Sequence, residues 1–520
     1  MNNYTILVEM KTLIAISRHK CHRLGKRKTL YHHIFCMYVF TFFLISAFQI
    51  SVNAQQFVLS LDECVRLAQT QGPSADIARN AYRNRFHRYE SFSAGLLPQI
   101  SLEGTLPNIT RAINSIPQPD GSLLFRSQSQ AQSSAGINIS QQIPLTGGQI
   151  FVGTSLSRID LFGENASKLW SVSPFVLGIS QPLFQLNTVS WNIREQDIMI
   201  DIAHKQYHEA MEDIAMDAVA RFFEVYLAQM NVENARLNVI INDSTYRLSQ
   251  GRYTVGKIAE NDVLQNELSL LNAQMSLSTA QLDVLNAKQN LALILGISGR
   301  DFSVQAPQNI NKLRIDSALA LDMAFRHRSD VRTFELQKLS AERFTTQTSL
   351  QNSFNATLSA TVGLNQTAQT VPNALDNLLD RQTFSLSIGM PLFQWGKASH
   401  DKEAAQAEEQ RTLLNSNLQI HLLRQELTNH IQRMMLLEKQ VIIAKKTEEI
   451  AQKRYEMTKN RYLIGKIDIK DVLLAQGEKD AALRTYAQTL RDFWTGYYRL
   501  RRLTLYDFEK SKVIEYDTQM

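Results

Sequence analysis

Arg252-Tyr253-Thr254-Val255-Gly256-Lys257-Ile258-Ala259-Glu260-Asn261-Asp262-Val263-Leu264 and Arg461-Tyr462-Leu463-Ile464-Gly465-Lys466-Ile467-Asp468-Ile469-Lys470-Asp471-Val472-Leu473 carry Arg, Tyr, Gly, Lys, Ile, Asp, Val and Leu at the same spacing. Chance is a poor account of that agreement. A fainter correspondence relates Leu67-Ala68 through Leu106 to Met323-Ala324 through Val362. The chain therefore reads as two copies of one unit, and such a period has to be found first because missing it misassigns every element.

Both copies run through the same elements in the same order. A first helix is expected over about Leu61 to Leu97 and again over about Asp316 to Asn352. Alternating short strands follow, within 100–182 and 356–391. Long helical hairpins come next, over 186–296 and 397–505, each turning at the shared Gly segment. The outgoing limb of each, about Thr188 to Tyr253 and about Lys397 to Tyr462, is about 100 Å long at about 1.5 Å per residue. We therefore place a first repeat at 55–305 and a second at 306–520.

The return limb after Gly256 presents Leu264, Leu268, Leu271, Met275, Leu282 and Leu285 at alternating spacings of four and three, with Ser278 in the skipped place. This is a coiled-coil seam. After Gly465 the seam is weak at first and clear from Leu483 through Ala487, Leu490, Trp494 and Tyr497. Leu295-Gly296 supplies the glycine expected just past a helix end. Long helices with narrow apolar seams need antiparallel partners, within the chain and between chains.

The strand regions alternate strictly. Ala356, Leu358, Ala360, Val362 and Leu364 are interleaved with Thr357, Ser359, Thr361 and Gly363, and Phe384, Leu386, Ile388 and Met390 with Thr383, Ser385, Ser387 and Gly389. The first copy repeats this with Ile100 and Leu102 against Ser101 and Glu103, and with Phe175, Leu177 and Ile179 against Val176, Gly178 and Ser180. Segments of about ten residues with an apolar outer face and a small polar inner face suit an outer-membrane barrel with a wet lumen. A soluble sandwich also alternates. Two strong strands per copy cannot close a barrel, and open edges are not tolerated in lipid, so oligomerisation is required. Pro-Leu sequences at Pro144-Leu145, Pro182-Leu183-Phe184 and Pro391-Leu392-Phe393 end the strand regions. They read equally as punctuation before a helix or as an aromatic girdle at the membrane interface.

The 520-residue chain has 55 basic and 49 acidic residues, a net charge of +6 that would ordinarily suggest nucleic acid or a membrane surface as partner. The excess lies in the first 54 residues. There Lys11, Arg18, Lys20, Arg23, Lys26, Arg27 and Lys28 face the single acid Glu9, and without them the chain is neutral, so no nucleic-acid partner is expected. A basic stretch, the apolar run Ile34 to Ile50 and then Val52-Asn53-Ala54 form a secretory signal peptide over 1–54, with Met37 or an earlier internal Met as alternative starts. Cys21 and Cys36 leave with it, and Cys64 alone remains, so no disulfide framework is available. No later run approaches the roughly 20 apolar residues of a membrane-spanning helix.

His204 and His208 have helical spacing for a metal, but no third ligand is evident and Lys205, Glu209 and Glu212 around them suggest a solvated face, so no metal or other cofactor is expected. No nucleophile elbow, phosphate loop or nucleotide fingerprint is present, and the chain reads as no enzyme.

The duplicated order of elements, with Gln-Pro-Leu-Phe before the long helices and Arg-Tyr-x-x-Gly-x-Ile at their far ends, resembles the TolC-like outer-membrane efflux protein family over essentially the whole mature chain. The resemblance implies a mainly α fold with a membrane β-barrel. It implies a homotrimer with a 12-stranded barrel in outer-membrane lipid, about four strands from each protomer, and an α-helical coiled-coil tunnel extending through the periplasm. It also implies a passive exit duct for multidrug efflux or type I secretion. A periplasmic adaptor (membrane fusion protein) and an inner-membrane pump of RND, ABC or MFS type would be the partners. Val255, Gly256, Lys257, Ile464, Gly465 and Lys466 match the family's adaptor-docking hairpin tips. Asp471 and Tyr462 match its periplasmic gate, whereas Ile467 and Leu474 depart from it. Asp471 also has a local role, since a carboxylate in a first helical turn is stabilising, and Asp262 sits likewise. The rival readings are an exported coiled-coil structural protein and a periplasmic adaptor. Gly136 to Ser157 holds two further alternating segments around Thr146-Gly147-Gly148, either a loop extension or a replacement for a neighbouring strand.

Overall fold

Four helix lengths occur twice, in the same order. In the computed structural model α1 (Leu61–Gln71) and α5 (Ser317–His327) have 11 residues each, and α2 (Pro73–Gly95) and α6 (Ser329–Gln351) have 23. The long helices α3 (Thr188–Thr254) and α8 (Lys397–Leu463) have 67 each, and the return helices α4 (Glu260–Leu295) and α9 (Ile469–Thr504) have 36. A one-turn helix, α7 (Val371–Ala374), lies between two strands of the second copy. The structure describes residues 57–163, 166–299, 301–307, 310, 313–464, 466, 467 and 469–517, and the leader expected at 1–54 lies outside them.

The single first helix expected in each copy is two helices. In the first copy Pro73 enforces the break, because it has no N–H to donate and its ring blocks continuation of α1. Gly72 beside it is closely approached, a Cβ there lying 2.3 Å from the Ala68 carbonyl oxygen and 2.5 Å from that of Ile294. The second copy has no proline at this place. There Arg328 is extended, and Ser329 opens α6 by donating its N–H to Glu209 Oε1 at 2.7 Å and its hydroxyl to Oε2 at 3.0 Å. A carboxylate from α3 satisfies a helix N-terminus that its own sequence leaves uncapped.

None of the helices packed on α3 matches it in length, so its partners divide it. α1 and α2 lie along its N-terminal part, where Gln69 donates to the Met211 carbonyl at 2.9 Å and Tyr89 to Asp197 at 3.2 Å, and α4 folds back along the rest. Met211, Phe222, Phe223, Leu291, Leu295, Leu490, Phe493 and Tyr497 fill the core where α3, α4 and α9 meet. Successive contacts run from α4 to α3, from α3 to α9 and from α9 to α8. This leaves α4 and α8 as the outer helices of the layer.

Their outer faces are apolar and uncovered. The α4 seam read from the sequence, Leu264, Leu268, Leu271, Met275, Leu282 and Leu285, is 51–66% exposed, while α4 packs on α3 through Leu270, Ala273, Ala280 and Leu291. On α8, Leu423, Leu427, Ile431, Met434, Leu437 and Val441 face inward, whereas Leu414, Leu418, Leu436, Ile443 and Ile450 are exposed.

One antiparallel sheet gathers β2 (Gln99–Pro117), β3 (Leu123–Gln142), β4 (Gln149–Phe162), β5 (Ser167–Leu183), β7 (Asn355–Ala368) and β8 (Leu379–Gly389) in that spatial order. β1 (Phe57–Leu59) and β6 (Phe302–Val304) form a separate short pair, as do β9 (Tyr506–Asp507) and β10 (Lys512–Val513). The expectation of about four strands per chain is corrected: the described residues place six in the sheet. The segment Gly136 to Ser157 is part of this sheet, since β3 and β4 pair without interruption from Ser129↔Phe162 to Gln142↔Gln149. Their turn is tied to the start of α3, where Asn187 donates to the Pro144 and Leu145 carbonyls at 2.8 and 3.1 Å and Thr146 donates to Gln181 at 2.7 Å.

At the Pro-Leu-Phe junctions, Phe184 and Trp395 both adopt left-handed backbone, with φ of 59° and 53°. Leu145, Phe184, Leu392, Phe393 and Trp395 are exposed, and the rings of Phe393 and Trp395 lie 4.6 Å apart.

Candidate functional site at the hairpin tips

The two tips are built by the same hydrogen bonds. Lys257 N–H donates to the Arg252 carbonyl at 2.9 Å, and Lys466 N–H to the Arg461 carbonyl at 2.9 Å. This six-residue closure is the Schellman turn, which needs a left-handed residue at its centre, and Gly256 supplies it with φ of 70°. Gly465, the matching residue, lies outside the described residues. Val255 and Ile464 are each 66% exposed at the apex, and Lys257 and Lys466 are exposed beside them. Each tip is thus a small apolar knob next to a cation. At the start of α4, Asp262 Oδ2 accepts from the Ala259 N–H at 3.4 Å, the local capping role expected of that carboxylate.

The α8–α9 tip has a small core of its own. Tyr455, Val472 and Ala475 are buried together, with Ile241 of α3, Tyr462 and Ile467 packed against them. Tyr462 therefore packs against the cluster that contains Val472, the residue after Asp471. Asp471 remains exposed, with Leu474 exposed one turn further on. Ile467, one of the two departures from the gate pattern, is an apolar packing residue here.

Beyond this core the contact between the hairpins turns polar. Asn238 of α3 accepts from Gln476 and donates to Asp480 Oδ2 at 3.3 Å. The buried Lys479 ammonium lies 4.8 Å from the centre of the Tyr455 ring and 3.2 Å from Asp480. Burial, with Asp480 adding to it, raises the Tyr455 phenol above its ordinary range. These residues were not singled out from the sequence. Their only trace there is the weak start of the α9 seam, where Gln476, Lys479 and Asp480 occupy places an apolar seam would use.

His204 and His208 do come together, Nε2 to Nε2 at 3.4 Å, but His208 is a buried structural residue and not part of a solvated face. Its Nδ1 accepts from the Tyr516 N–H at 3.2 Å, which fixes the neutral tautomer with the proton on Nε2. Burial first, then neighbouring His204, His327 and Lys205, push the imidazole down to about 4. Among the described residues no cluster of three or more metal-ligating side chains occurs.

The family model described as outer membrane efflux protein matches residues 66–297 and 321–504, most of both repeats. The Toxin and drug export protein A of Aggregatibacter actinomycetemcomitans is 26% identical over 112 residues, which covers 22% of this chain and 24% of that protein, so the match spans about a quarter of the relative's length. Among solved structures, the CmeC outer membrane channel of Campylobacter jejuni superposes with a TM-score of 0.62 at 15% identity, covering 88% of this chain and 87% of that one. The outer membrane protein VceC of Vibrio cholerae gives 0.61 at 16%, covering 88% and 97%. The open MtrE outer membrane channel of Neisseria gonorrhoeae gives 0.59 at 15%, covering 88% and 91%. The structural matches establish a shared fold, and the family match extends over both copies of the repeat that defined this sequence. The chain belongs to the outer membrane efflux protein family.

Proposed function

We propose that this chain works as a homotrimer, the outer-membrane exit duct of a tripartite efflux or type I secretion assembly. The observation that carries the reading is that both layers of the chain end in unsatisfied edges. The helical layer exposes apolar seams on α4 and α8, and the sheet ends in β2 and β8, each paired on one edge only. Copies arranged about an axis bring α4 of one against α8 of the next and join the sheets at the same time. The exposed aromatics at the Pro-Leu-Phe junctions sit where strand becomes helix, which suits a girdle at the membrane interface. The helices then extend about 100 Å into the periplasm.

Val255, Gly256 and Lys257 with Ile464, Gly465 and Lys466 form the surface that meets a periplasmic adaptor, and an inner-membrane pump of RND, ABC or MFS type supplies the energy. Conduction through the duct is passive. In a strain lacking the gene, a variant carrying Val255→Asp and Ile464→Asp is expected to reach the outer membrane in wild-type amounts yet leave cells as sensitive to exported compounds as the deletion. Full restoration of resistance would remove the tips from docking.

Tyr462 and Asp471 form the gate in this reading. Three Asp471 carboxylates around the axis attract cations at the mouth, and salt screens the effect. Asp471→Ala is expected to lower cation selectivity in single-channel recordings at low salt, and an unchanged selectivity would leave Asp471 with only its helix-terminal role.

A further inference from the structure

The sheet has six strands where the family resemblance implies about four per chain, and its width has geometric consequences. Following hydrogen-bonded partners straight across gives Gln99, Ser140, Phe151, Gly178, Thr361 and Thr383, one residue per strand with no bulge on the path. This row begins at the first residue of β2 but ends on β8 six residues short of Gly389, the last. The sheet thus slips about one residue per strand. With about 3.4 Å per residue and about 4.8 Å between strands, that slip corresponds to a tilt of about 35°, at the lower limit of the range found in membrane barrels.

An antiparallel sheet with an even number of strands has outermost strands that run in opposite directions. β8 of one copy can therefore pair antiparallel with β2 of the next about a rotation axis. Placing Gln99 beside Gly389 levels the ends of the two strands. It also sets Ser101 opposite Ser387, and Ile100 and Leu102 opposite Ile388 and Leu386. Polar then meets polar and apolar meets apolar, whereas a slip of one residue would invert both faces. Neither outer strand is covered in the single chain: Ile100, Leu102, Phe384 and Ile388 are all exposed.

We infer that all six strands enter the wall, so that three copies close an 18-stranded barrel, six strands from each, through β8 of one copy and β2 of the next. The inference rests on the trimer proposed above. At a tilt of about 35° the barrel is about 34 Å across between backbones, against about 22 Å for twelve strands. The added hairpin therefore widens the outer-membrane exit.

The test uses the full chain recovered from outer membranes. Ser101→Cys with Ser387→Cys places thiols on the facing edges, and Cys64, buried in the helical core, cannot compete. Mild oxidation is expected to link most chains into covalent trimers, only when both cysteines are present, in particles whose native mass is that of a trimer. Phe151→Cys with Ser387→Cys reports the alternative, β8 seated on β4 of the next copy with β2 and β3 outside the wall. Trimeric mass with this second pair linked, or with neither pair linked, overturns the six-strand closure and leaves the trimer standing. A dimeric or monomeric mass, or a link confined to single chains, removes the trimer itself.

Discussion

Arg501→Met is expected to destabilise the folded chain by about 3–5 kcal/mol, the cost of leaving a buried charge without its partner. Arg501 of α9 holds Glu212 of α3 through two bonds, from Nη2 to Oε1 at 2.8 Å and from Nε to Oε2 at 3.0 Å. Glu212 is fully buried. Its Oε1 also accepts from the Tyr516 hydroxyl, and Gln69 of α1 donates to that same hydroxyl at 2.7 Å. Asp507, which Tyr497 reaches at 2.7 Å, lies 3.3 Å from the other side of the guanidinium. One cation thus joins both hairpins, the first helix and the C-terminal segment. Met keeps much of the apolar stem but none of the donors, so the loss is electrostatic. Combining Glu212→Leu with Arg501→Met is expected to recover most of the stability, because an apolar pair of similar volume carries no desolvation cost. Urea unfolding followed by circular dichroism separates the cases. A single variant within 1 kcal/mol of wild type would show that water enters the pair.

This network was invisible in the sequence for a plain reason. Glu212, Arg501 and Tyr516 belong to separate helices and a terminal segment, and nothing local marks Glu212 as the partner of two residues 289 and 304 positions away. What could be read was local or periodic. The Gly turns, the seam on α4 and the alternation of the strands each follow from the residue-by-residue geometry of one element. The break before α6 could not be read, because its cap comes from Glu209 on another helix, while the equivalent break at Pro73 is written in the chain itself. Alternation likewise identifies a strand without counting its neighbours. Six alternating segments were visible, but only their pairing makes all six part of one sheet. The weak start of the α9 seam was a true signal whose meaning needed a partner, since Gln476 and Asp480 find theirs in Asn238 across the hairpin contact. Polar contacts of this kind contribute about 0.5–1.5 kcal/mol each, less than a buried leucine. The tips are therefore held together more weakly than the core that contains Phe222 and Phe493, which is what the gate proposed above would need in order to open.

Leu268→Glu with Leu271→Glu is expected to abolish assembly while leaving the single chain folded. Both leucines lie on the α4 seam and are more than half exposed, so the intrachain core of Leu270, Ala273 and Leu291 does not depend on them. In the proposed trimer they are buried against α8 of the neighbour, where each contributes about 1.5–3 kcal/mol. Glutamate forfeits that contribution and in addition forces an unpaired carboxylate into an apolar contact, which costs several kcal/mol more unless it becomes protonated. The same pair of changes recurs at all three interfaces, so the loss per trimer is threefold. Leu436→Glu with Ile443→Glu on the exposed face of α8 should give the same result from the other side of the contact. For both variants we expect the circular dichroism of the wild type and the mass of a monomer in detergent. Trimers that survive either change would mean that the seams face solvent. Closure would then have to come from the sheet edges alone.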